Sequence, residues 1–257
     1  DIAQRRVNIP LRRAKQLEAE KLLNMESLIH ERLVDQEEAV KAVSRALREY
    51  RSGLSRKGGP IAAFLFVGPT GVGKTELSKI LANIQFGSKE AMIRFDMSEY
   101  QEKQSIFRFI GSPDGNTSGT LTESVLQKPY SLILLDEFEK AHPDILNLFL
   151  QVFDDGRLTD NLGRVANFEN TIIIATSNAH SNFIKEEIEK NTPMAEISEN
   201  IKKKLTEYFR PELINRFYGI IVFKSLSQSD IIEVTKILLK EFVSDLKGSH
   251  GIDINFS

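Results

Sequence analysis

Eight residues, Gly68-Pro-Thr-Gly-Val-Gly-Lys-Thr75, restrict this chain more than any other stretch. An apolar run, 61–67, leads directly into them, and 76–86 leaves them with helical spacing. A buried strand, a glycine turn and a helix in that order form a phosphate cradle. The glycines let backbone N–H groups converge on one point, and the helix N-terminus favours negative charge there. Gly68, Pro69, Thr70, Gly71, Val72 and Gly73 are therefore candidate loop residues. Lys74 is placed to reach the β- and γ-phosphates, and the Thr75 hydroxyl to coordinate Mg²⁺. The expected ligand is a nucleoside triphosphate, ATP with Mg²⁺.

Four more short apolar runs read as fully buried strands: 92–95, 131–135, 171–175 and 219–223. Helical or irregular segments separate them, which predicts a parallel five-stranded α/β sheet covered on both faces. Residues 14–50 carry apolar side chains at helical spacing (Leu17, Leu22, Leu28, Val40, Val43, Leu47) and read as two helices broken near Val34-Asp35. Residues 52–60 hold Gly53, Gly58, Gly59 and Pro60 and read as a loop. Residues 181–208 are polar, charged and helical, and are expected to form a solvated insertion. From Ser227 onward Ile231, Ile232, Val234, Ile237, Leu238 and Phe242 predict an amphipathic helix that opens a second, small unit. The expected division is 1–224 for the α/β unit with its helical lead-in and 225–257 for the small one.

Hydrophobic residues make up 41% of the 257 and charged residues 27%, enough to build a sizeable core. Lys and Arg number 34 against 36 Asp and Glu, a net charge of −2, so no global basic field points to nucleic acid. Lys202-Lys-Lys204 reads as a solvated helix face. The chain has no cysteine, which excludes disulfides and a thiolate zinc site. It has no apolar run of membrane length and no apolar signal core, so a cytoplasmic location without membrane contact is expected. It begins without Met and stops within the alternating stretch Ile252-Asp-Ile-Asn-Phe256, and is expected to be a piece of a longer protein.

Three further elements bear on chemistry. Leu132-Ile-Leu-Leu-Asp136-Glu137 is an apolar strand ending in two carboxylates. Asp136 at such a strand end holds the metal through water, and Glu137 beside it can polarise the attacking water as a base. Thr176-Ser177-Asn178 follows another strand; the Asn178 amide could orient the lytic water, although Ser-Asn there reads equally well as a turn. Phe209-Arg-Pro-Glu-Leu-Ile-Asn-Arg216 carries two arginines. Either could serve its own subunit, reach a neighbour's phosphates, or form a surface ion pair.

Together these motifs resemble the second ATPase module of the Clp-type AAA+ unfoldases, the group of ClpB, ClpC and ClpA, nearly end to end. The resemblance is carried by Ile9-Pro10, Glu20-Lys-Leu-Leu-Asn-Met-Glu26, Gln36-Glu-Glu-Ala-Val-Lys-Ala-Val43, Phe64 through Glu76, Phe95-Asp-Met-Ser-Glu-Tyr100, Leu134-Leu-Asp-Glu-Phe-Glu-Lys-Ala-His-Pro143 and Asp154-Asp-Gly-Arg-Leu-Thr-Asp160. It implies ATP hydrolysis to ADP, Asp136 and Glu137 as the Walker B pair and Asn178 as sensor 1. It makes Arg216 an arginine finger acting in trans and Val34 a contact beside the adenine. It further implies a homo-hexamer of the full-length protein that pulls unfolded or aggregated polypeptide through a pore, with 225–257 opening the lid.

Four departures from the family pattern stand out. The segment Ile110-Gly-Ser-Pro-Asp-Gly-Asn-Thr-Ser-Gly-Thr-Leu-Thr-Glu123 is shorter than the family's pore loop and lacks its aromatic residue, which grips a passing chain by apolar contact. The sequence stops before the family's Gly-Ala-Arg segment that carries sensor 2, which is a departure only if that end is natural. Asp35 stands where the family has Gly near the adenine, a substitution tolerated at some cost if that residue needs positive φ. Residues 179–208 contain no Gly and hence no Ile/Leu-Gly-Phe/Leu tripeptide, so a ClpP-type protease partner is not expected. Two other readings compete with a hydrolysing remodeller: a module whose ATP holds a ring together without threading, and a DNA-handling AAA+ ATPase such as a clamp loader.

Overall fold

The computed structural model describes residue 20 and residues 22–53 and 58–250. The lead-in at residues 9–10, residues 14–19 and 21 of the first expected helix, and the stretch 252–256 lie outside the described residues.

Near the start of the described residues lie α1 (Met25–His30) and α2 (Glu37–Arg51), broken where the sequence predicts. At that break Asp35 and Gln36 both take left-handed backbone, at φ 58 and 61. Gln36 turns its buried side chain away from the helix start and ties two distant segments together. Its Nε2 donates to Lys224 O (2.9 Å) and Val72 O (3.4 Å), and its Oε1 accepts from Lys224 N at 3.0 Å.

Five strands form the predicted parallel sheet: β1 (Ala62–Val67), β2 (Met92–Asp96), β3 (Leu132–Asp136), β6 (Ile172–Ser177) and β7 (Gly219–Val222), in the order β2-β3-β6-β1-β7. Successive side chains on a strand point to opposite faces, so each strand feeds two cores. Leu65, Val67, Ile133, Leu135, Ile173 and Ala175 join one core. This core is covered by α4 (Ser105–Ile110), α5 (Thr120–Gln127), α6 (Pro143–Asp155), α7 (Ser181–Glu189) and α8 (Met194–Lys204). Phe64, Phe66, Leu132, Leu134, Ile172 and Ile174 join the other, under α1, α2 and α3 (Lys74–Phe86).

The strand ends differ from the apolar runs by one or two residues, and this matters for the site. β3 continues to Asp136, paired with Asp96, and β6 to Ser177, paired with Val67. Hydrogen bonding persists past the last hydrophobe, so Asp136, Thr176 and Ser177 sit on the sheet rather than beyond it. Residues 181–208 are a correction: they are not a solvated insertion. Ile184, Ile197, Ile201 and Leu205 are completely buried in the first core. Ile197, Ile201 and Leu205 are spaced i, i+4, as are Ile184 and the partly buried Ile188, so each helix presents an apolar stripe that mean polarity conceals.

The buried-run argument is silent over 143–167. There α6 is followed by an antiparallel hairpin of β4 (Arg157–Thr159) and β5 (Val165–Asn167). Short α9 (Pro211–Ile214) precedes β7, and α10 (Gln228–His250) closes the described chain with Ile231, Ile232, Leu238 and Phe242 each more than half exposed.

Candidate functional site: a phosphate loop at the sheet edge

The eight-residue loop lies where β1 leaves the sheet. Its first residue is anchored by Gly68 N–H donating to Ser177 O at 3.1 Å, so β6 holds the loop's base. A side chain at Gly68 would lie 2.6 Å from the Phe223 carbonyl oxygen, too close for any other residue. Gly73, at φ 104, turns the loop into the first turn of α3, whose free N–H groups face the cradle.

Lys74 is buried beneath the loop. Its Nζ donates to Gly68 O (2.5 Å), Pro69 O (2.8 Å) and Asn178 Oδ1 (2.9 Å). Burial pushes its pKa down to about 8, against the opposing fields of Asp136, Glu139 and Glu137. Thr70 Oγ1 donates to the same Asn178 oxygen at 3.4 Å. The loop and Asn178 are therefore one cluster, as expected from their places at the ends of adjacent strands.

The carboxylates join through β6. Asp136 Oδ1 accepts from the Thr176 hydroxyl, and that hydroxyl accepts the Glu137 N–H at 3.2 Å. Asp136 Oδ2 pairs with Arg94 Nη2 at 2.6 Å. Glu137 sits at φ 55, a region where residues other than glycine are uncommon, and its Oε2 meets Lys140 Nζ at 2.5 Å. That bond raises the Lys140 pKa. Glu139 crosses to β6, where its Oε1 accepts the Asn178 N–H at 3.0 Å.

Arg94, Glu139 and Lys140 were not among the sequence candidates. Arg94 had a signal, a lone cation inside an otherwise apolar strand. Glu139 and Lys140 lie within the Asp-Glu-Phe-Glu-Lys motif but carry no spacing rule of their own.

Val34 lines a cavity of about 220 Å³ together with Gly71, Val72 and Gly73 of the loop and Leu226, Val234, Ile237 and Leu238 of the lid side. The cavity is mainly apolar, with Arg32, Glu76 and Glu241 also in its lining, and it borders the loop. Asp35 has the positive φ at which the family's Gly would be favoured, and its carboxylate pairs with Lys224 Nζ at 2.8 Å.

Arg216 is not part of this cluster. Tyr218, two residues on, donates its N–H to Ala63 O at 2.7 Å, five residues before Gly68. At about 3.3 Å per residue that anchor lies roughly 16 Å along β1 from the loop. Arg216 Nε pairs with Asp154 Oδ2 at 2.7 Å and lines a separate cavity of about 260 Å³ with Glu49, Ile61, Phe153 and Tyr218.

The residues present suit a phosphate-bound Mg²⁺. The described residues hold no cluster of three or more His, Cys, Asp or Glu that could enclose a metal. One hydroxyl, Thr75, and one carboxylate, Asp136, beside a phosphate cradle are what Mg²⁺ takes when substrate oxygens and water complete its shell.

A family model described as AAA domain (Cdc48 subfamily) matches residues 59–220. The chain is 47% identical over 247 residues to the ATP-dependent Clp protease ATP-binding subunit ClpA homolog of Guillardia theta, covering 91% of this chain and 30% of that protein. It is 46% identical over 264 residues to chaperone protein ClpB of Vibrio vulnificus, covering all of this chain and 30% of that protein. Among solved structures it matches the S. cerevisiae Hsp104–ADP complex with TM-score 0.83 and 38% identity, over 95% of this chain and 43% of that one. The chain thus spans about 30% of the length of the curated relatives it matches. With the family model covering most of its length, and the phosphate loop, strand-end carboxylates and Asn178 assembled at one sheet edge, the chain belongs to the AAA domain family as a Clp-type AAA+ module.

Proposed function

We propose that this module binds ATP with Mg²⁺ and hydrolyses it to ADP and phosphate, as one engine of a Clp-type protein remodeller. The observation that carries the reading is the shared cluster of Lys74, Asn178, Asp136 and Glu137 at the C-terminal edge of β1, β3 and β6. Lys74 moves from the loop carbonyls to the β- and γ-phosphate oxygens. Thr75 and Asp136 would hold Mg²⁺, the latter through water, and the bound ion would offset the phosphate charge. Glu137 leaves Lys140 and accepts the proton of the attacking water at its carboxylate. Asn178 leaves Lys74 and orients that water against the γ-phosphate. Val34 borders the adenine.

Arg216 lies near the start of β1, at the opposite end of that strand from its own loop, which supports its service to a neighbouring subunit in a homo-hexamer. We extend the reading to the whole protein: a cytoplasmic chaperone acting on unfolded or aggregated polypeptide, without a ClpP-type protease. A solved relative supports the substrate class: closed-state Hsp104 with ATPγS and FITC casein, at TM-score 0.78 and 39% identity over 94% of this chain.

One observation favours a second reading, ring assembly without threading. The 111–119 loop is folded on itself: Ser112 N–H donates to Thr117 O (3.0 Å), Thr117 N–H to Ser112 Oγ (3.0 Å), and Asn116 Nδ2 to Asp114 Oδ2 (2.6 Å). Its exposed tip offers only short polar groups and Pro113.

The test uses the full-length protein with changes in this module alone. Glu137→Gln is expected to retain ATP while this module's turnover falls about 100-fold or more, and Lys74→Ala to lose ATP binding. Normal turnover in Glu137→Gln would remove Glu137 from its role. Following unfolding of a fluorescent substrate in parallel separates the readings: module turnover that leaves unfolding unchanged when abolished supports assembly.

A further inference from the structure

The roles assigned above leave the Glu139 carboxylate unused, yet it occupies a demanding position. Glu139 lies on the 3₁₀ turn Phe138–Lys140 and reaches the end of β6. Its Oε1 accepts the Asn178 N–H at 3.0 Å, while its Oε2 is buried with no hydrogen-bond partner. A desolvated carboxylate oxygen without a donor is costly, and a hydrophobic side chain would fill the space without that cost. Packing therefore does not explain a glutamate here.

What Glu139 does hold is the residue between it and the phosphate loop. Asn178 is tethered from both sides: its Oδ1 accepts from Lys74 Nζ at 2.9 Å, and its N–H donates to Glu139. When phosphates draw Lys74 away, the stronger side-chain tether is lost, and the backbone from which Asn178 points is held by Glu139 at its N–H and by Ser181, whose Oγ donates to Asn178 O at 2.6 Å. The negative field of Glu139 also reaches Lys74, favouring its charged form.

We propose that Glu139 is a positioning residue for ATP hydrolysis, acting through Asn178 to aim its amide at the γ-phosphate and the attacking water. The proposal rests on the reading of Asn178 given above.

A double-mutant cycle in the full-length protein tests both separately, with turnover and the affinities for ATP and ADP as readouts. Glu139→Ala is expected to lower this module's kcat about 10- to 100-fold with KM within about threefold, and to reduce the preference for ATP over ADP. Glu139→Gln, which keeps an acceptor for the Asn178 N–H, should recover part of the loss. In an Asn178→Ala background, Glu139→Ala should cost nothing further. Losses that multiply in the double variant, or full turnover in Glu139→Ala where Asn178→Ala is crippled, overturn the Glu139 proposal alone. Normal turnover in Asn178→Ala overturns the parent reading and this one with it. Should Glu139→Ala not fold, Glu139→Gln carries the same cycle.

Discussion

Lys74 shows how burial turns a single side chain into a titrating element. Its folded pKa is lowered to about 8 from an ordinary 10.5, chiefly by desolvation. Between those values the unfolded chain binds a proton that the folded chain has released, so this group makes the nucleotide-free module more stable as pH rises from about 8 to 10.5. Below pH 8 both states are protonated and the dependence vanishes. Phosphate binding needs the ammonium and so opposes the depression. ADP affinity, followed by nucleotide fluorescence, is expected to fall as pH rises through about 8, approaching tenfold per unit above it. A flat profile from pH 7 to 9 would mean that Lys74 keeps its proton throughout.

At the scale of elements, legibility followed the strength of the local pattern. Buried strands and the glycine loop were readable because continuous apolar runs and glycine spacing have few alternative structures. α7 and α8 were misjudged as solvated, since Ile184, Ile197, Ile201 and Leu205 are sparse apolar residues among charges. The β4–β5 hairpin left no apolar run at all. The site divided in the same way: Lys74, Asp136 and Glu137 announce themselves by position after a strand, whereas Glu139 and Arg94 gain meaning only from partners on other strands. The α1–α2 break offers a direct test of its backbone. Asp35 combines φ 58 with the Lys224 ion pair, both partners partly buried. Asp35→Gly relaxes the backbone as it removes the pair, so its net effect should lie within about 1 kcal/mol in denaturant unfolding. Asp35→Ala keeps the left-handed demand and should destabilise by about 1–2 kcal/mol. Equal losses in the two variants would assign the effect to the ion pair alone.

At the scale of the whole molecule, the proposed service of Arg216 to a neighbouring loop would make turnover a collective property. Turnover per chain of the full-length protein, followed with sedimentation across a dilution series, is expected to fall as rings dissociate. Changing Arg216→Ala in this module should remove its turnover while ATP binding persists. Mixing that protein with Lys74→Ala protein should restore part of the activity, because one donates the intact loop and the other the arginine. Absence of recovery in verified mixed rings would place Arg216 outside catalysis.

The division of the parallel-sheet strands between two cores also bears on how such a chain can change length. Deleting one residue within β1 would exchange Phe64 and Phe66 with Leu65 and Val67 between the two faces and pull Gly68 off its anchor on Ser177. The sheet can therefore accept changes of side chain but not of residue count. Changes of residue count should be tolerated better in loops such as 111–119 than within the strands. The polar 111–119 loop is thus a segment whose length the scaffold can vary cheaply while the strand ends that carry Gly68, Asp136 and Ser177 keep their register.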